Sequence, residues 1–127
     1  MKKMFLLFSH SLTPSQIDDA KSNLGIEKFV YLPEDLQTLW SDIPSELESL
    51  KEYLSSFRNF LVENSDFKDV ILIQGDFGAV YQMINFSKDL GLKAVYATTK
   101  RIIEEEVIEN QTVKKSIFEH VKFREFE

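Results

Sequence analysis

Two runs of consecutive apolar side chains, Met4–Phe8 and Val70–Ile73, constrain this chain more than any other feature. Neither alternates with polar residues, so neither suits a strand with one wet face. Runs of strand length that are apolar at every position belong inside a parallel sheet covered on both sides. Phe29–Leu32 and Ala94–Ala97 supply two further short strands, and the segments between all four carry helical spacing.

The helix signals are local and chemical. Thr13-Pro14-Ser15-Gln16 combines an N-cap hydroxyl, a proline at the first helical position and a glutamine placed to close a capping box. Ile17, Ala20 and Leu24 follow on one face, and Gly25 can end the helix in the left-handed conformation. Pro33 opens a second helix with a stripe of Leu36, Leu39, Trp40 and Ile43, and Pro44 stops it. Ser45-x-x-Glu48 reads as another capping box, predicting a long amphipathic helix through Leu47, Leu50, Leu54, Phe57 and Leu61. After Val70–Ile73, the turn Gln74–Gly78 leads into a helix carrying Val80, Tyr81, Ile84 and Leu90, which Gly91 ends.

Strand, helix, strand, helices, strand, helix, strand is the order of a Rossmann-like α/β fold: a parallel sheet, right-handed crossovers and helices on both faces. From Arg101 onward the pattern changes. Alternation around Ile103, Glu105 and Val107, and again around Val121 and Phe123, brackets Glu109-Asn110-Gln111 and predicts an antiparallel C-terminal extension or hairpin. Lys114–Glu119 fits a short helix equally well. The expectation is one domain, residues 1–127, with a parallel core over 1–100 and an extension over 101–127.

Composition removes several function classes. The 127 residues include no cysteine, which excludes disulfides, thiolate metal sites and thiol nucleophiles and suits a reducing cytoplasm. No apolar stretch is long enough to span a bilayer, so no membrane partner is expected. Fifteen basic against 21 acidic residues give a net charge of −6, which opposes tracking along duplex nucleic acid. The charge is uneven, however. Glu34–Glu63 is strongly acidic, whereas Lys93–Arg101 holds three bases and no acid, so a local pocket can still attract a small anion.

In an open parallel sheet, ligands bind beyond the carboxyl ends of the strands, where successive connections leave in opposite directions. With strand order two, one, three, four, that rule selects three segments: Ser9-His10-Ser11-Leu12-Thr13, Gln74-Gly75-Asp76-Phe77-Gly78 and Thr98-Thr99-Lys100-Arg101. Glycines in the second let backbone N–H groups approach an anion at a helix N-terminus, although the same residues also describe a tight turn capped by Asp76. The segment is neither a dinucleotide fingerprint nor a P-loop, so NAD and ATP lose their main support and no cofactor is expected. His10 is the histidine that the topology brings to the crevice and is the candidate for proton transfer. His120 reads as a packing residue of the extension. Lys100 and Arg101 can hold phosphate by point charge and by bidentate hydrogen bonding, against the plainer reading of solvated cations at a strand end. Two distant histidines and scattered acids lack metal-ligand spacing.

Five blocks carry a resemblance: Phe5–His10 with Leu12, Thr13 and Gln16; Leu32–Gln37 through Trp40 to Pro44; Gln74–Ala79; Val95–Arg101; and Phe118–Arg124. In this order they resemble a small family of CRISPR-associated accessory proteins of type III systems, whose fold is similar to CRISPR-associated Rossmann-like sensor domains. The resemblance implies a homodimer that binds cyclic oligoadenylate, with cyclic tetra-adenylate as the expected ring, across its two-fold axis and linearises it as a ring nuclease. On that reading His10, Lys100 and Arg101 are the candidate catalytic residues. Ser9, Ser11, Thr13, Gln74, Gly75, Asp76, Phe77, Gly78, Thr98 and Thr99 are the candidate ligand-binding residues. The alternatives are a non-catalytic binder of the same ring, an interaction protein that docks a partner through the acidic helix from Ser45 to Glu63, and an ordinary nucleotide-binding regulatory domain.

Overall fold

The apolar runs form the interior of a five-stranded sheet. In the computed structural model, which describes residues 1–127, β1 (Lys3–Leu7) is followed by α1 (Pro14–Leu24), β2 (Lys28–Tyr31), α2 (Glu34–Ser41), α3 (Ser55–Asn64) and β3 (Val70–Ile73). Then come α4 (Phe77–Asp89), β4 (Lys93–Ile108) and β5 (Gln111–Glu125). The strand order is β2-β1-β3-β4-β5, parallel through β4 and antiparallel between β4 and β5. The chain is therefore α/β and Rossmann-like with an antiparallel C-terminal extension, as its pattern predicted. All four residues of β3, and Met4–Leu7 of β1, are buried.

Right-handed crossovers in opposite directions put helices on opposite faces. Ala20 of α1 packs with Met4, Leu6, Val70, Leu72, Val95 and Phe123 on one side. Trp40, Phe57, Leu61, Ala79 and Met83, from the other three helices, pack with Phe5, Leu7, Ile71 and Ile73 on the other. Alternate residues of β1 and β3 thus divide between two cores, which is why neither strand can carry a polar position.

The first helix begins as its sequence dictates. Thr13 Oγ1 accepts from Gln16 N at 3.3 Å, Gln16 Oε1 accepts from Thr13 N at 2.9 Å, and Gly25 takes φ +68°. The predicted long helix does not form. Residues 45–54 run as turns and bends, and helix is confined to Ser55–Asn64. Serines compete locally for the backbone here, as where Ser49 Oγ accepts from Lys51 N, and Leu47 remains exposed. Only Leu54, Phe57 and Leu61 of the expected stripe are fully buried. The acidic helix offered as a partner-docking surface is accordingly absent over its first half.

The fourth strand is longer than its apolar part suggested. β4 runs through position 100 without a break, and β5 returns along it as far as Glu125, so the hairpin replaces the short helix considered for Lys114–Glu119. Glu109 and Asn110 form its turn with φ +51° and +64°, the left-handed pair that a two-residue hairpin loop requires. No helix is long and apolar enough to cross a membrane.

Candidate functional site at the carboxyl edge of the sheet

The first and third strands flank the point where connections diverge, and they stay joined to their last residues. Leu7 lies beside Ile73, and Gln74 N donates to Leu7 O at 3.0 Å. Beyond that bond the two chains separate, and Phe8, Ser9, His10, Gln74 and Gly75 line a cavity of about 210 Å³. The second helix fixes both lips: Gln37 Nε2 donates to Phe8 O at 2.8 Å, and Trp40 Nε1 donates to Gln74 O at 3.0 Å. Glycine at 75 follows from that indole, because a Cβ there would lie 3.0 Å from Trp40 Nε1. His10 is exposed, and its ring meets Phe8 edge-on at 5.4 Å.

Several residues expected to face a ligand are instead used within the fold. Gln74 Oε1 accepts from Ala97 N at 2.7 Å, tying the end of β3 to β4. Asp76 Oδ2 accepts from Ala79 N at 3.0 Å, so a carboxylate already closes the N-terminus of α4. An incoming anion would meet that negative charge, which corrects the reading of Gln74–Gly78 as an open phosphate cradle. Phe77, by contrast, is 95% exposed beside the exposed Gly75 and Gly78.

Thr98, Thr99, Lys100 and Arg101 also need correction, because they lie within β4 rather than in a loop beyond it. Side chains along a strand alternate between faces, so the four cannot act as one cluster. A β-bulge sits at their start: Thr98 pairs with Lys122 but Thr99 pairs with His120, leaving Val121 as the extra residue. The hydroxyl of Thr98 donates to Lys122 O at 3.0 Å and accepts from Lys122 N at 3.2 Å. Thr99 and Arg101 share the face toward α1, with His120 and Phe118 as their cross-strand partners. Lys100, paired with Glu119, belongs to the opposite face. Arg101 lies along the hairpin, donating from Nε and Nη2 to Ser116 Oγ at 3.2 and 3.0 Å.

A second cavity, of about 560 Å³, lies beside the bulge, lined by Thr13, Ser15, Gln16, Thr99, Phe118, Glu119 and His120. His120 was read from sequence as packing. Its side chain is indeed only 5% exposed and stacks on Phe123 at 4.7 Å, but its Nε2 meets Asp19 Oδ2 of α1 at 2.7 Å. Desolvation pushes the Asp19 carboxyl upward. Hydrogen bonds from Asn23 and His120, with the charges of His120 and Lys122, outweigh it and hold the group below its ordinary value. Strict alternation would place Val121 opposite Thr99; only the inserted residue brings His120 there, and no local sequence signal announces it.

The edge therefore brings Ser9 and His10 together with Gln74 and Gly75, and Thr13 together with Thr99 and His120. The Gln74–Ala97 bond spans the two groups, and exposed Ser11 lies in the loop between them. No three His, Asp or Glu side chains gather closely enough to hold a metal ion.

A family described as "Uncharacterized protein MJ1673 family" matches residues 2–124. The chain is 45% identical over 126 residues to "Uncharacterized protein MJ1673" of Methanocaldococcus jannaschii, covering 99% of this chain and 98% of that protein. No solved structure matches.

Proposed function

The chain belongs to the MJ1673 family, and we propose that it is a cytoplasmic CRISPR-associated ring nuclease that binds cyclic tetra-adenylate across the two-fold axis of a homodimer. Its reaction cleaves the ring without metal to linear oligoadenylates bearing 2′,3′-cyclic phosphate, which would switch off type III antiviral signalling. The observation that carries this reading is the cavity shared by Ser9-His10 and Gln74-Gly75 at the divergence of β1 and β3, the position where open α/β sheets take nucleotides. Beside it, the Thr13–Thr99 cavity offers hydroxyls for phosphate and ribose, and Phe118, exposed opposite Arg101, offers a face on which an adenine can stack.

In the proposed reaction a ribose 2′-oxygen attacks the adjacent phosphorus in line. The O2′–P bond forms as the P–O5′ bond breaks; the 2′ proton passes to a base and the departing 5′-oxygen takes one up. Holding the hydroxyl in line supplies much of the acceleration. Arg101 is the cation suited to the charge developing on phosphorus, since it shares the Thr99 face, whereas Lys100 contributes only to the surrounding field. His10 at the neighbouring cavity is the group for proton transfer. Two copies of such a site about a dyad suit a four-phosphate ring.

A second reading, binding without turnover, is favoured by one feature: the imidazole of His10 is exposed and edge-on to the Phe8 ring, with no hydrogen bond orienting it for proton transfer. One assay separates the readings. Labelled cyclic tri-, tetra- and hexa-adenylate are incubated with the protein in EDTA and the products resolved. Linear fragments from the tetramer are expected. A ring that is retained by the protein but unchanged makes it a binder, and a ring neither bound nor cut overturns both readings.

A further inference from the structure

The sheet ends in a strand with no neighbour on its outer side. β5 is last in the order β2-β1-β3-β4-β5, so one edge of its fifteen-residue backbone has no strand to bond. A free edge of that length is a template for another strand, and the side chains decide which one fits. In the ladder between β4 and β5, Lys100 stands opposite Glu119, Ile102 opposite Ile117 and Glu104 opposite Lys115. Residues directly opposite share a face, and alternation along the strands keeps these three pairs on the same one. That face therefore carries a half-buried apolar pair between two exposed pairs of opposite charge, and the sense of the charges reverses from one pair to the other.

We propose that the outer edge of β5 pairs antiparallel with the same edge of a second copy of this chain, with the two-fold axis at Ile117, joining the two sheets into one. An axis there sets Ile117 against its own copy and Lys115 of each chain against Glu119 of the other. Across the four strands the charges then alternate, in the order Lys100, Glu119, Lys115, Glu104, on either side of a row formed by Ile102 and Ile117 of both copies. Opposite charges directly across an antiparallel pair stabilise it, and like charges destabilise it. Other registers lack this match. Axes at Lys114, Lys115 or Glu119 set a charge against its own copy, one at Phe118 sets Lys114 against Lys122, and one at Ser116 sets Lys115 against Ile117 and Lys114 against Phe118. Axes beyond Glu119 fall at the bulge, where Val121 interrupts regular pairing, and axes nearer the turn leave few residues to pair. The pairing leaves the turn and the outer edge of β4 open. On the face toward α1, Phe118 and His120 of both copies flank the axis, and Lys114 of the second copy stands opposite His120, so each larger cavity gains a cation from the other chain beside its own Glu119.

This inference deepens the homodimer of the proposed function, on which its relation to the ring rests, but its test needs no nucleotide. The molar mass of the full chain in solution is measured by sedimentation across micromolar concentrations, and the wild type is expected at twice the chain mass. Lys115→Glu and Glu119→Lys, both at exposed positions, each set like charges opposite one another at two symmetry-related places, and each is expected to weaken dimerisation about tenfold. Mixed in equal amounts, the two variants restore both pairs, because the acidic edge of one meets the basic edge of the other, and the mixture is expected to recover the dimer. A wild type that is monomeric at every concentration, or variants as dimeric as the wild type, overturns the proposal. A mixture no more dimeric than either variant alone overturns it too, since the axis is then not at Ile117. Dimers that neither bind nor cut a ring leave the interface standing and sink the ring-nuclease reading, whereas ring cleavage by a monomer does the reverse.

Discussion

At the scale of single residues, the site owes its shape to contacts that leave no room for side-chain atoms. Gly75 lies against the Trp40 indole, whose N–H in turn bonds the neighbouring carbonyl of Gln74. Gly75→Ala is expected to destabilise the protein by about 1–3 kcal/mol, the usual cost of overpacking, as read by chemical denaturation; an unchanged midpoint would mean that Trp40 does not define this lip. Strand geometry also separates two neighbouring cations that the sequence presents together. Arg101→Ala should reduce ring turnover by about a hundredfold, as loss of a donor to a developing negative charge does, while Lys100→Ala should change it only a few-fold. Equal effects from the two would contradict the assignment of faces. The contrast between these residues shows what was legible. Thr13, Gln16, Gly25 and Asp76 act within a turn of their own position, so their caps could be read directly. The separation of Lys100 from Arg101 depends on β4 continuing past its apolar segment, which no neighbouring residue specifies.

At the scale of elements, the unalternating strands and the proline and glycine punctuation locate the four parallel strands and most helix ends. Two elements escaped that logic. The stretch before α3 has the spacing of a helix, yet its serines bond locally and Leu47 finds no core. The bulge at Thr98/Thr99 depends on the register of Thr98 with Lys122 and of Thr99 with His120, residues far apart in the chain, and with it goes the placement of His120. That register joins β5 to α1 through the His120–Asp19 pair. Because Asp19 is held below its ordinary value in the fold, the unfolded chain takes up its proton first as pH falls. The pair's contribution is therefore complete above the unfolded carboxyl range and is lost as pH drops through the folded value. Asp19→Asn should flatten this acid limb in stability measured against pH; a limb of unchanged steepness would show that Asp19 is not linked to folding. The outer hairpin makes a different prediction. From Ile103 outward, β4 and β5 pair with each other, and Ile103, Val107, Val113 and Phe118 are exposed. Amides from 103 to 113 should exchange with solvent orders of magnitude faster than those of Val70–Ile73. Comparable protection would mean that another surface covers the arm, the role a second protomer would fill.

At the scale of the whole molecule, the proposed ligand is a polyanion and the chain carries a net charge of −6, so the distribution of charge decides whether the two can meet. The acids of 34–63 lie in the helices and turns on the face opposite α1, whereas the edge of the sheet presents hydroxyls and His10, with Arg101 farther out along the hairpin on Ser116. The fold class follows from hydrophobic pattern because burial acts on every residue of β1 and β3. Function is less legible because the decisive groups come from strands that meet only in three dimensions. Amide chemical-shift mapping with cyclic tetra-adenylate tests the central claim most directly. The account predicts that signals of Ser9–Thr13, Gln74–Gly78 and Thr98–Arg101 move together as one ring is bound. Absence of any shift at saturating ring, or shifts confined to a surface away from these segments, would contradict it.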